Sequence, residues 1–223
     1  MKLVHPNWEY SFNFDIHRTH CLIIENPITL REYITELQTQ IAGEEGLFVL
    51  SNKNKDLKIP DNMSLLPDLL FFDISDRKLT TRIQSLLKTF SVSSDMYIKT
   101  AELISALIRY ADSVVDNFDY PISYKEPDSA ALIKFLGFDA KYEYDTQIEK
   151  LIEYFDLYHD ICGVSIFVLL NPSSFFSNDE IKIMLEHCIH LDHMIISIEN
   201  RETYSSKLYE RKIIIDEDNC EIF

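Results

Sequence analysis

Residues 162–200 constrain the fold more than any other stretch. Val164–Leu170 is a continuous apolar run of β-branched and large residues, which suits a strand buried on both faces. Asn171–Ser177 carries Asn, Pro and three Ser and reads as a loop. Ser177 and Glu180 have capping-box spacing and open a helix whose apolar face is Ile181, Met184, Leu185 and Cys188. Met194–Ile198 is a second buried strand. Strand, crossover helix and strand make a βαβ unit, expected to be right-handed. Nucleotide-binding turns in such units need glycines, so that backbone N–H groups can approach phosphate. The Asn171–Ser177 turn has no Gly and no Lys, and the four glycines of the chain form neither phosphate-loop pattern. A nucleotide-binding type of fold is expected, without the phosphate grip.

The flanking sequence extends this reading. Trp8, Tyr10, Phe12 and Phe14 alternate with polar residues as a half-exposed strand would. Cys21–Ile24 is a short buried strand, and Thr29 with Glu32 is a candidate capping box for a helix carrying Leu30, Ile34, Leu37 and Ile41. Leu47–Leu50 and Leu69–Phe72 read as further strands. From about residue 76 to 160 helical periodicity takes over. Leu79, Ile83, Leu86, Leu87 and Phe90 mark one helix. Tyr97, Ala101, Ile104, Ile108, Ala111, Val115 and Phe118 mark a heptad seam over 95–118, about 36 Å at 1.5 Å per residue. A second stripe, Leu103, Leu107 and Val114, calls for neighbours on more than one side. Pro127 and Gly137 bracket a short helix, and Thr146 with Glu149 caps a fourth. Strands over 212–216 and 219–222 complete the sheet. The expected organisation is an α/β head from 1–75 and 163–223 with an inserted all-α helical leg, 76–162.

Charge narrows the function. The net charge of −16 argues against broad attraction to nucleic acid or membrane, though not against a local basic patch. No apolar run approaches a membrane span, and the four scattered cysteines, with no C-x-x-C, suit a reduced, cytoplasmic protein. Lys53, Lys55 and Lys58 form the clearest basic cluster, either a solvated loop or a set of sequence-blind phosphate contacts. Asp119, Glu126, Asp128 and Asp139 flank the Pro127 helix, either ordinary surface acid or an oxygen shell for Ca²⁺. His187, His190 and His193 suggest zinc, but a second, remote ligand set would be needed and nothing marks one. The plain reading is a polar helix end. Asp68, Asp73, Asp76 and Lys78 loosely match a divalent-metal nuclease, against the plain reading of Asp76 as a favourable helix-start acid.

Several segments together resemble the type II-A CRISPR adaptation proteins of the Csn-two family. They are Cys21–Pro27, the Lys53-x-Lys55-x-x-Lys58 loop with Leu69–Asp73, Leu132–Gly137, Ile166–Phe176 with Asp179-Glu180, and Ile195–Tyr204, in order and at similar spacing. The resemblance implies a P-loop-NTPase-like sheet without a nucleotide site, plus a helical leg. It also implies ring-shaped homotetramers that thread linear double-stranded DNA from its ends, with Ca²⁺ stabilising the ring. Such proteins act in spacer acquisition beside the CRISPR integrase and effector nuclease. Lys53, Lys55 and Lys58 match basic channel positions, Arg18 lies near a family arginine, and Glu126, with Asp128 and Asp119, falls by the acid beside the leg helices. The expectation is a non-catalytic DNA-end-binding ring, with no nucleotide and no membrane partner. The alternatives are a metal-dependent nuclease and a DNA-independent assembly scaffold.

Overall fold

The computed structural model describes residues 1–53, 55–138 and 143–223. The chain forms two compact units, Met1–Ile74 with Glu143–Phe223, and Ser75–Tyr142. The first unit is mixed α/β. In chain order it holds β1 (Lys2–Val4), β2 (Phe12–Asn13), β3 (Thr19–Ile24), α1 (Pro27–Ile41), β4 (Val49–Asn52), β5 (Lys55–Leu57), α2 (Ile59–Asn62) and β6 (Met63–Leu66). The second unit supplies α3 (Arg77–Ser91), α4 (Tyr97–Val115) and α5 (Ser129–Leu136). The chain then returns to the first unit with α6 (Gln147–Cys162), β7 (Ile166–Leu170), α7 (Asn178–His190), β8 (Met194–Glu199), β9 (Arg211–Ile215) and β10 (Glu221–Ile222).

Two sheets organise the first unit. The larger has the order β10-β9-β3-β8-β7-β6, parallel except for the β10 edge. All six residues of β3 and of β8 are buried, because both faces of a parallel sheet are covered. One face presents Leu22, Ile24, Ile166, Val168, Ile196 and Ile213 to a core shared with Leu37 of α1 and with the second sheet. That second sheet is antiparallel, β2-β1-β4-β5, and its register aligns Phe12, Leu3, Leu50 and Leu57 in one inward row. The neighbouring row, Asn13, Lys2, Ser51 and Asp56, faces the other way by the period of two. The opposite face of the parallel sheet takes α6, whose Phe155 ring lies 4.7 Å from Phe167 and whose Tyr154 hydroxyl meets Ser64 Oγ at 2.7 Å.

The organising βαβ unit forms as expected. β7 pairs parallel with β8, and Ser177 and Glu180 make a full capping box on α7. Thr146 and Glu149 do the same for α6. Other expectations changed. Leu69–Phe72 is not a strand; the edge strand is β6, just before it. Pro67 cannot donate to a ladder, and Asp68 Oδ1 accepts from Leu70 N and Phe71 N, which curls the chain away. Of the Trp8–Phe14 alternation only Phe12–Asn13 is strand, because Glu9 N and Tyr10 N donate to the Glu221 carboxylate instead of a ladder. The cap of α1 is Asn26, not Thr29: its Oδ1 accepts from Ile28 N and Thr29 N, with Pro27 in the first turn. α6, grouped with the helical leg on periodicity, buries Ile148, Leu151, Tyr154, Phe155 and Tyr158 within the first unit.

β3 lies between β8 and β9, while the chain leaves it for β6 on the far side of β8. The sheet thus winds both ways from β3, and a ligand of such a sheet sits at the carboxyl end of this region. The turn there is Glu25-Asn26-Pro27. Glu25 brings negative charge, Asn26 occupies two amides of the first helical turn, and Pro27 has no N–H. Each feature opposes a phosphate.

In the second unit α4 keeps its seam half-buried at Ile104, Ile108, Ala111 and Val115. The other stripe is open: Leu103 is 46% and Val114 41% exposed.

Candidate nucleic-acid interface

The three loop lysines sit on one hairpin at the edge of the four-stranded sheet. β4 and β5 close at the Asn52–Lys55 pair. Lys53 enters the turn at φ +45°, in the left-handed region that tight hairpins require. Lys55 opens β5, and Lys58 precedes α2, its carbonyl accepting from Asn62 Nδ2. All three side chains are exposed, and among the described residues none makes an ion pair. β5 is an edge strand, so its open side carries no neighbouring strand.

The surroundings of the hairpin are mixed in charge. A groove of about 580 Å³ beside it is lined by Glu44, Asp56 and Asp61 with Lys58 and apolar residues, so the groove floor repels phosphate. The other side is more basic. The Met1 amino group donates to Asp15 Oδ1 at 2.7 Å and holds that carboxyl below its usual range, helped by Arg18 and Lys53. Lys53 and Arg18 therefore share one carboxylate as a neighbour. Arg18 itself is tied down: Nη1 donates to Phe14 O at 2.9 Å, and Nη2 pairs with Asp192 at 3.1 Å. Lys2 is a basic residue that sequence reasoning missed. It is exposed and pairs opposite Ser51, two residues from Lys53, a placement only the strand register reveals.

The acidic candidates do not converge. Asp128 Oδ1 caps α5, accepting from Ala131 N at 2.7 Å, and that amide holds the carboxyl low. Asp119 and Glu126 are exposed, and Asp139 lies outside the described residues. Ca²⁺ wants six to eight oxygens. Among the described residues, the three acids do not form a group with ligand atoms within mutual reach. Among the described residues, Asp119, Glu126 and Asp128 therefore do not by themselves assemble that shell. The nuclease candidates have structural tasks. Asp68 closes its turn, Asp76 caps α3 through Leu79 N, and Asp73 and Lys78 each have partners.

One cluster does assemble. His187 and His193, with Asp156, bring their ligand atoms within 4.8 Å of one another. His190 is exposed and stands apart from the group. The helix ends at His190, and the left-handed Asp192 (φ +60°) turns the chain so that His193 folds back, its N–H on Cys188 O.

The family described as CRISPR-associated protein (Cas_Csn2) matches residues 40–219. The CRISPR-associated protein Csn2 of Streptococcus agalactiae is 26% identical over 179 residues, 78% of this chain and 77% of its own length. Among the described residues no helix is long and apolar enough to cross a membrane.

Proposed function

This chain belongs to the Cas_Csn2 family of CRISPR-associated proteins, and we propose that it is a non-catalytic ring protein that binds the ends of linear double-stranded DNA during spacer acquisition. The observation that carries this reading is the β4–β5 hairpin. It holds Lys53, Lys55 and Lys58 on a sheet edge, exposed and without carboxylate partners among the described residues. Lysines so placed act as point charges on phosphates and read no bases. Lys2, opposite Ser51, adds positive charge near Lys53, on the sheet face away from Lys55. Arg18 is a supporting residue, since Asp192 already neutralises it.

A single hairpin in a chain of net charge −16 gives weak attraction. Repetition around a ring multiplies it and confines the positive charge to an inner surface. The open Leu103, Leu107 and Val114 stripe of α4 supports self-association, because a long apolar stripe left in water calls for a partner. In this reading Ser75–Tyr142 is the helical leg of a homotetramer, and the sheet winding both ways from β3 is a P-loop-like head whose phosphate turn has become Glu25-Asn26-Pro27. The protein would work beside the integrase and effector nuclease.

The test is a gel shift with one duplex as a linear fragment and as a closed circle, run with Ca²⁺ and with chelator. A shift of the linear form alone is expected. Equal binding to both forms would remove the ring, and binding to neither would leave a scaffold. Loss of binding in chelator would put calcium ligands between copies, since one chain does not bring Asp119, Glu126 and Asp128 together. Cleavage of the linear duplex in Mg²⁺, lost with Asp68 or Asp73, would establish the nuclease instead.

A further inference from the structure

The geometry points to a zinc-class metal site between α6 and α7, formed by Asp156, His187 and His193 with His159 beside them. It lies apart from the lysine hairpin and uses none of its residues. The remote ligand that the histidine-rich helix end lacked is Asp156, one helix earlier in the chain.

Three elements deliver the donors. Asp156 is in the middle of α6, His187 in the last turn of α7, and His193 in the link to β8. His187 Nε2 lies 2.9 Å from Asp156 Oδ1 and 3.1 Å from Oδ2, and His193 Nε2 lies 2.8 Å from Oδ1. All three ligand atoms fall within 4.8 Å of each other. Four-coordinate zinc with bonds of about 2.0–2.2 Å sets its ligands roughly 3.4 Å apart. The present spacings bracket that value, so small side-chain shifts admit the ion.

The donor chemistry selects the ion. Two imidazoles and one carboxylate suit Zn²⁺, Co²⁺ or Ni²⁺, whereas Ca²⁺ and Mg²⁺ want oxygen alone. His193 is 2% exposed, so a ligand nitrogen there is held by the packing around it. Its Nδ1 has no partner among the described residues, so the ring is held through Nε2, and an ion there displaces only the bonds to Asp156. His159 stands beside the group but outside the set of ligand atoms within mutual reach, which leaves the fourth position to water. The His159 Nδ1 lies 3.0 Å from Val164 O, and a carbonyl can only accept, so Nδ1 donates there. That hydrogen bond fixes the His159 ring beside the site. The His159 ring centre is 4.8 Å from that of His193. Asp156 and His159 are three residues apart and share a helix face.

The test uses the full-length, untagged chain, stripped with chelator and dialysed against Zn²⁺. Elemental analysis should find about one zinc per chain. Co²⁺ should give a visible spectrum of nitrogen and oxygen ligation, without a thiolate charge-transfer band. Asp156→Asn and His187→Gln should each weaken Zn²⁺ binding at least about tenfold. His190→Gln, which alters an exposed neighbour, should leave it unchanged. Should the variants fail to fold, the wild-type protein decides by NMR: Zn²⁺ must shift the ring nitrogens of His187 and His193. Negligible retained zinc, equal binding in all variants, or shifts confined to other residues would overturn the site and leave Asp156 as a hydrogen-bonded clamp between the two helices.

Discussion

His20 should make the first unit acid-sensitive by a calculable amount. The residue lies in β3, is 0% exposed, and has neither ring nitrogen hydrogen-bonded among the described residues. Phe12 and Phe14 stand edge-on to it at 5.1 and 5.2 Å. Burial, with smaller repulsion from His17 and Arg211, depresses its pKa to about 3 from 6.5. The unfolded chain therefore binds a proton that the folded chain refuses between pH 6.5 and 3, and stability falls as pH falls through that window. At pH 5.0 the group is one and a half units below its unfolded value, which at about 1.4 kcal/mol per unit removes about 2 kcal/mol relative to pH 7.5. His20→Phe removes the titration and keeps an aromatic ring among aromatic rings. Urea unfolding followed by the single tryptophan, Trp8, which packs on Phe12, gives the free energy of each protein at the two pH values. The wild type should lose about 2 kcal/mol more than the variant on acidification. Equal losses would refute the reasoning, because His20 would then be taking up its proton in the folded state. The other histidines, His193 included, are common to both proteins and cancel.

Further outcomes follow from the same structure. If three lysines per engaged chain contact phosphate, Lys53→Glu with Lys55→Glu should abolish the gel shift at moderate salt; the single Lys55→Ala should lower the slope of log K against log salt by roughly 0.9 for each engaged chain. An unchanged slope would take the hairpin out of the interface. Ser177→Ala breaks the capping box of α7 and should cost about 1 kcal/mol in thermal or urea unfolding. Leu107→Glu places a charge in the open α4 stripe and should shift sedimentation toward smaller species without altering far-ultraviolet circular dichroism. An unchanged sedimentation profile would mean that this stripe is not where copies meet.

The sequence by itself determined those elements whose cause is local. α6 and α7 were legible because a capping box is written within four residues and an apolar face within two turns. β3, β7 and β8 were legible because a strand covered on both faces is a short apolar run. The lysine hairpin was visible as charge, and the family resemblance as an ordered set of segments. Tertiary structure decided whatever depends on who pairs with whom. Leu69–Phe72 and Met63–Leu66 are similar apolar runs, and only pairing beside β7 makes the second a strand. Asn26 and Thr29 are both good caps, and the chain leaving β3 brings Asn26 to the helix start. Register alone set Lys2 opposite Ser51. The histidines show the division most plainly. Their number was evident, but Asp156 is 31 residues from His187, and nothing short of packing α6 on α7 could bring that carboxylate to it. Periodicity reports which face of an element is buried, while the identity of the partner across the core is a property of the whole chain.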